Sequence, residues 1–269
     1  MTQAALPPAE NRFAPGTFTP RPQAASLPAI IAAQTRMELT LLLRNGEQLL
    51  LTMFIPITLL IGLCLLPVDT GLGTTTAERA ATFVPAIMTV AVMSTAFTGQ
   101  AIAVGFDRRY GALKRLGATP IPRWGIIAGK SIAVAIVVVL QAAIIGGIGF
   151  AFGWHPVAWG LLLGMLIIAL GTTTFSALGL LLGGTLKAEV VLALANLLWF
   201  ALVGVGSLVV MGDRVPAAVA WIARCLPSGA LTEALDQATH GSVDVFGIVV
   251  LLVWAAAAGA LAVRWFRFE

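Results

Sequence analysis

The sequence is short of charge and of reactive side chains. Of its 269 residues, 10% are Asp, Glu, Lys or Arg, against about 25% in a soluble domain. So few charges cannot cover a water-facing surface, which excludes an ordinary soluble domain. There are two cysteines and two histidines. Cys64 and Cys225 stand far apart, no C-x-x-C occurs, and His155 and His240 are isolated loop residues. The spacings of zinc and redox motifs are therefore missing, and no metal site is expected. The two cysteines read as buried free thiols. A disulfide stays open, because the topology below brings both near the outer side. A cleavable leader is not expected either: no basic residue precedes Arg12, and no apolar run begins before about Leu27. Residues 1–28 instead hold Pro7, Pro8, Pro15, Pro20, Pro22 and Pro28. That composition predicts a disordered tail over 1–26, ahead of one membrane domain over 27–269.

What the chain has is apolar length. It is 59% hydrophobic, with a mean hydropathy of +0.96. About 20 apolar residues cross a bilayer as a helix. Six runs qualify, at 49–66, 83–105, 125–153, 157–183, 190–211 and 246–263. The expected fold class is an all-α polytopic membrane protein with six transmembrane helices. Thirteen of the 16 Lys and Arg fall on one side: in the N-terminal segment, the second–third connection, the fourth–fifth turn and the C-terminus. Arg79, Arg214 and Arg224 fall on the other. Basic residues stay cytoplasmic, so both termini are expected inside and the protein in the plasma (inner) membrane. Residues 27–48 are too polar to cross, and their helical spacing predicts a helix along the inner surface. Residues 213–245 predict two short helices at, or dipping into, the outer interface, with Trp221 at headgroup depth.

Residues 106–131 read FDRRYGALKRLGATPIPRWGIIAGKS. The closing Gly129-Lys130-Ser131 looks like the end of a phosphate-binding loop. Such a loop needs G-x-x-x-x-G-K-[ST] after a strand. The required first glycine falls at Trp124, with Gly125 one place late, so no nucleotide site is expected here. Lys130 is expected to snorkel to lipid phosphates instead. Residues 106–116 predict a short amphipathic helix. Phe106, Tyr110, Leu113 and the 116–117 turn share one stripe, and Gly117, Pro120 and Pro122 stop it. An ordinary basic loop that only fixes orientation would not need those aromatics.

This segment resembles the signature of type-2 ABC exporter permeases of the daunorubicin-resistance type. That signature is an acidic residue and arginine, then glycine, a leucine, a basic residue and Thr-Pro before the next span. The likeness extends to the six-span layout, the surface helix before the first span and the LPSGALTEAL stretch before the last. The family often has Glu where this chain has Asp107. The resemblance implies that 106–116 is a coupling helix seated in a groove of a separate cytoplasmic ATPase. Its partner-contact set would be Phe106, Asp107, Arg108, Arg109, Tyr110, Gly111, Leu113, Lys114 and Arg115. It also implies two ATPase copies and a second permease subunit, the same or related. The chain itself would be no enzyme and hold no cofactor, since the partner would bind ATP. Membrane lipid is an expected partner and nucleic acid is not.

An ion-coupled carrier needs titratable groups at membrane depth. No Asp or Glu stands in the middle of any run, so energy is expected from an ATPase. Small residues four apart, as Gly160 with Gly164 and Gly179 with Gly183, read as helix-packing positions. Gln100, Gln141 and Asn196 are the candidates for lining a substrate path, because an amide facing lipid is costly. The apolar surroundings imply a hydrophobic or amphiphilic cargo, drug- or lipid-like. Two alternatives stay open: one half of an ion-coupled carrier, and a membrane anchor or assembly factor that transports nothing.

Overall fold

A helix satisfies every backbone N–H and C=O within one apolar segment, which is what lipid demands. The computed structural model describes residues 25–65, 73–119 and 121–267, and no strand occurs among them. The helices are α1 (Leu27–Arg44), α2 (Gly46–Leu65), α3 (Thr76–Arg109) and α4 (Ala112–Gly117). There follow α5 (Arg123–Ala151), α6 (Ala158–Thr185), α7 (Ala188–Val210), α8 (Ala217–Cys225), α9 (Pro227–Thr239) and α10 (Val245–Trp265). By length and composition α2, α3, α5, α6, α7 and α10 can cross a membrane. They coincide with the six apolar runs to within a few residues at most ends; α3 reaches further at both. Its start is fixed by a capping box, in which Thr75 Oγ1 accepts from the Glu78 N–H and Glu78 reaches back. The expected tail over 1–26 lies outside the described residues apart from its last two.

The bundle is built around α3, 72% of whose apolar window is buried, against 17% for α2 and α7. Glycines on α6 let it approach closely. A Cβ on Gly179 would stand 2.8 Å from the Phe97 carbonyl oxygen, and one on Gly183 would collide with that of Ala101. Opposite lies α9, packed against α3, α6, α7 and α10. Its Ala230, Leu231 and Ala234 are fully buried, and they join Phe97, Phe175 and Leu251 in the main core. It is thus a core element rather than an interfacial one. Its depth is hidden in the sequence because α9 carries Glu233, Asp236 and Gln237 on its other side. In contrast α8 stays peripheral, with Trp221 exposed. The Arg224–Asp244 ion pair, 2.8 Å, ties it to the start of α10.

Two spans contain proline and are wound as π-helix nearby, at Leu50–Phe54 and Met93–Gly99. Gln141 stands between those stretches. Its Nε2 donates to the Thr52 carbonyl and its Oε1 accepts from Thr95 Oγ1, each at 3.0 Å. Both cysteines are free thiols, which closes the disulfide alternative. Cys64 is buried as expected, whereas Cys225 is exposed.

The helix α1 is amphipathic in an inverted sense. Gln34 and Glu38 face inward against α5, while Leu27, Met37, Leu41 and Leu43 face outward. An apolar outer face is what a helix resting against hydrocarbon requires.

Candidate functional site

The charged stretch 106–117 is not one helix. The third helix runs on through Arg109, and the chain then turns at Tyr110 and Gly111 before α4 begins. Gly111 sits at φ +69°, a left-handed conformation that a Cβ would disfavour. The turn closes through Tyr110 N–H to Phe106 O (2.9 Å) and Gly111 N–H to Arg108 O (3.0 Å). Helical periodicity alone cannot reveal this break, because Gly111 fits either conformation.

Three consecutive charges at the end of α3 are each spent on a different neighbour. Asp107 Oδ2 lies 2.6 Å from Lys130 Nζ on α5. Arg108 Nη1 donates to the carbonyls of Gly183 and Leu186, both 2.9 Å away. Those belong to the last turn of α6 and its cap, where carbonyls lack helical partners. Arg109 pairs with Glu189 in the first turn of α7, and its guanidinium also lies over the rings of Phe106 and Tyr110. The C-terminal end of α3 is thereby clamped to three other spans.

Lys130 is the correction with most consequence. It does not snorkel to lipid as its position near a span end suggests. Instead it is 8% exposed, and its ammonium also lies 2.8 Å from Glu38 Oε2 on α1. Glu38 in turn accepts from Gln34 Nε2 at 3.0 Å. A lysine can turn inward when carboxylates meet it there, but those carboxylates come from remote stretches of sequence.

The nine residues expected to touch a partner therefore divide. Asp107 and Arg108 are engaged within the chain. Leu113, expected on the partner-facing stripe, is 1% exposed and packs with Val104, Ile126 and Leu180. The exposed members are Arg109, Tyr110, Lys114 and Arg115, with Tyr110 66% exposed and Arg109 already paired to Glu189; Phe106 and Gly111 are half-buried. Trp124 is exposed nearby. It stands outside the expected set, although an aromatic beside Arg123 at a span entrance is a usable signal.

The three candidate path amides do not converge. Gln141 is enclosed between π-helical stretches. Gln100 is 3% exposed, its Nε2 is 3.5 Å from Ser131 Oγ, and its Oε1 has no partner among the described residues. Asn196 is exposed on α7 and donates to its own helix, at Leu192 O. Elsewhere, a cavity of 330 Å³ lies between α5 and α6. Val139, Ala143, Gly147, Leu161 and Met165 wall it and Leu235 of α9 backs it; apart from Thr172 and Thr239 its lining is apolar.

What the arrangement offers is a protruding turn whose base grips several membrane helices, a mechanical connection. Comparison with curated proteins gave no match. The model of the ABC-2 family transporter proteins matches residues 66–264, which takes in α3 to α9, nearly all of α10 and the Asp107–Arg109 clamp. Six crossing helices around that clamp and a match over most of its length agree: the chain belongs to the ABC-2 family transporter proteins, as the membrane permease subunit of an ABC transporter.

Proposed function

We propose that this permease exports a hydrophobic or amphiphilic cargo, drug- or lipid-like, across the plasma (inner) membrane. It is driven by a separate cytoplasmic ATPase that docks on the turn after α3. The observation that carries this reading is the contrast at that turn: Tyr110 is 66% exposed at the tip, while Asp107, Arg108 and Arg109 hold the base to α5, α6 and α7. An aromatic anchor on a rigid mount suits a docking site. Lys114 and Arg115 beside it suit an acidic groove and would tune association.

In this reading both termini are cytoplasmic, and two permease subunits, identical or related, bind two ATPase copies. The cargo path runs along the face of α7 that carries Asn196, where the second subunit closes it. The apolar cavity between α5 and α6 fits the apolar character of the cargo. The resemblance to the daunorubicin-resistance type supports multidrug efflux as the physiological setting.

The test is co-purification of the ATPase with the tagged permease from its native membrane. Hydrolysis is then measured with and without a lipophilic cationic dye or a fluorescent phospholipid. Export predicts an associated ATPase that either probe stimulates. An ATPase that associates but never responds favours the anchor, and dye transport driven by a proton gradient without ATP favours the carrier.

A further inference from the structure

Two carboxylates share one buried ammonium at the inner membrane boundary. Glu38 of α1 and Asp107 of α3 lie 2.8 and 2.6 Å from Lys130 Nζ of α5. Glu38 and Lys130 are 5% and 8% exposed. The approach of α1 is prepared by Gly129, where a Cβ would fall on the Gln34 side chain. The packing that brings Glu38 to Lys130 therefore rests on a glycine beside the lysine. As a stability device the arrangement is poor. Buried ions lose hydration, and well-packed apolar residues of similar size often serve as well or better. One positive and two negative charges also leave an excess of one negative charge, and the carboxylates repel each other across the ammonium they share.

Such sharing has a mechanical consequence. Anything that draws Asp107 away removes the repulsion and leaves Lys130 wholly to Glu38. The α1–α5 contact then tightens. Conversely, loosening Glu38 tightens Asp107 onto α5, because coupling between two contacts at one group is reciprocal. Asp107 is the residue best placed to be drawn away. It stands just before the Tyr110–Gly111 turn, and its side chain is 34% exposed, whereas Glu38 is enclosed.

We propose that Lys130 is a positioning residue, a charge relay that reports the position of the turn after α3 to the surface helix α1. Withdrawal of Asp107 locks α1 onto α5, and its return releases α1. The relay rests on the exporter reading only for what moves Asp107, namely the docked ATPase.

The experiment is a double-mutant cycle read by backbone hydrogen exchange on the full chain in lipid nanodiscs, with no ATPase present. Glu38→Gln and Asp107→Asn each bring the buried site from one excess negative charge to neutrality, so both variants retain the fold. Lys130→Met is avoided, since it would strand two buried carboxylates; in the double variant the ammonium keeps the Gln and Asn side-chain oxygens as acceptors, and a size-exclusion profile matching the parent shows that it still folds. The relay predicts that Asp107→Asn, which mimics withdrawal, slows exchange across residues 31–44 about three- to tenfold. In the Glu38→Gln background the same change has less than a twofold effect. Glu38→Gln alone slows exchange at residues 106–111. A purely structural site would not make the effect at α1 depend on residue 38. The relay is overturned if Asp107→Asn leaves α1 unchanged, speeds its exchange, or acts equally in both backgrounds. A failed cycle with a co-purifying ATPase removes the relay alone. A successful cycle with no associated ATPase removes the exporter reading alone.

Discussion

Gln141 Nε2 donates to the Thr52 carbonyl at 3.0 Å, and Pro56, four residues on, has no N–H to offer that oxygen. A side chain from α5 thus supplies the donor that a proline removes from α2. The same amide accepts from Thr95, so one residue joins three spans at their irregular points. Proline is tolerated in membrane helices where neighbours complete the backbone in this way.

Gln141→Leu strands the Thr52 carbonyl and the Thr95 hydroxyl and should cost about 1–2 kcal/mol, the scale of hydrogen bonds between membrane helices. Pro56→Ala restores an N–H within α2. In the Gln141→Leu background it should recover a clear part of the loss, while alone it changes little. Reversible unfolding in mixed detergent reads all four proteins, and equal effects of Pro56→Ala in both backgrounds would refute the link.

Tyr110→Ala should weaken ATPase assembly by about 1–3 kcal/mol, as expected for a buried aromatic anchor. Arg115→Ala should matter less and act mainly on association rate. Both side chains face outward, so the permease should fold normally in either variant. Assembly and hydrolysis are compared at equal expression. A fully assembled and active Tyr110→Ala complex would leave the turn as a topological anchor only.

Two glycines of α6 should respond in opposite ways. Gly179→Leu forces a side chain into the backbone of α3 and should cost about 1–3 kcal/mol or more. A Cβ added at Gly164 would meet no other element within 4 Å among the described residues, so Gly164→Ala should be neutral or stabilise by up to about 1 kcal/mol. Thermal midpoints by size-exclusion survival separate the two.

The native cysteines report topology without engineering. Cys225 is exposed and Cys64 is buried. A membrane-impermeant maleimide added to intact cells should label Cys225 and spare Cys64. Cysteines introduced at 240 and 115 should be labelled and unlabelled respectively. Labelling at 115 with none at 225 would invert the orientation.

What is legible in the sequence is whatever depends on runs of residues. Hydrocarbon thickness sets the length of a span, so six apolar runs suffice to find six helices. What depends on distant partners is not legible. Lys130 looks like a snorkelling residue because Glu38 stands 92 positions away. Leu113 looks partner-facing because the turn at Gly111, which rotates it inward, leaves no mark on helical periodicity. The depth of α9 is hidden because its polar residues suggest water, although its small and leucine-bearing face fills the bundle. Gln141 stands out as costly to expose, but its cost is met by Thr52 and Thr95 rather than by a path.

The burial of α9 also fixes an order of assembly. Residues 227–239 leave the ribosome after five spans have already been made, yet Leu231 and Leu235 fill the centre of the main core. Until then α3 and α6 can meet only along their glycine-lined contact at Gly179 and Gly183, and the faces that α9 covers lack their partner. Gly160 and Gly171, which lie against the Ala238 carbonyl and the Leu231 side chain, have nothing to meet. The early spans therefore hold only part of the core, and α9 completes it last but one, just ahead of α10. A chain that stops before residue 227 has every span up to α7 but lacks Leu231 and Leu235, the side chains that α9 adds to the main core.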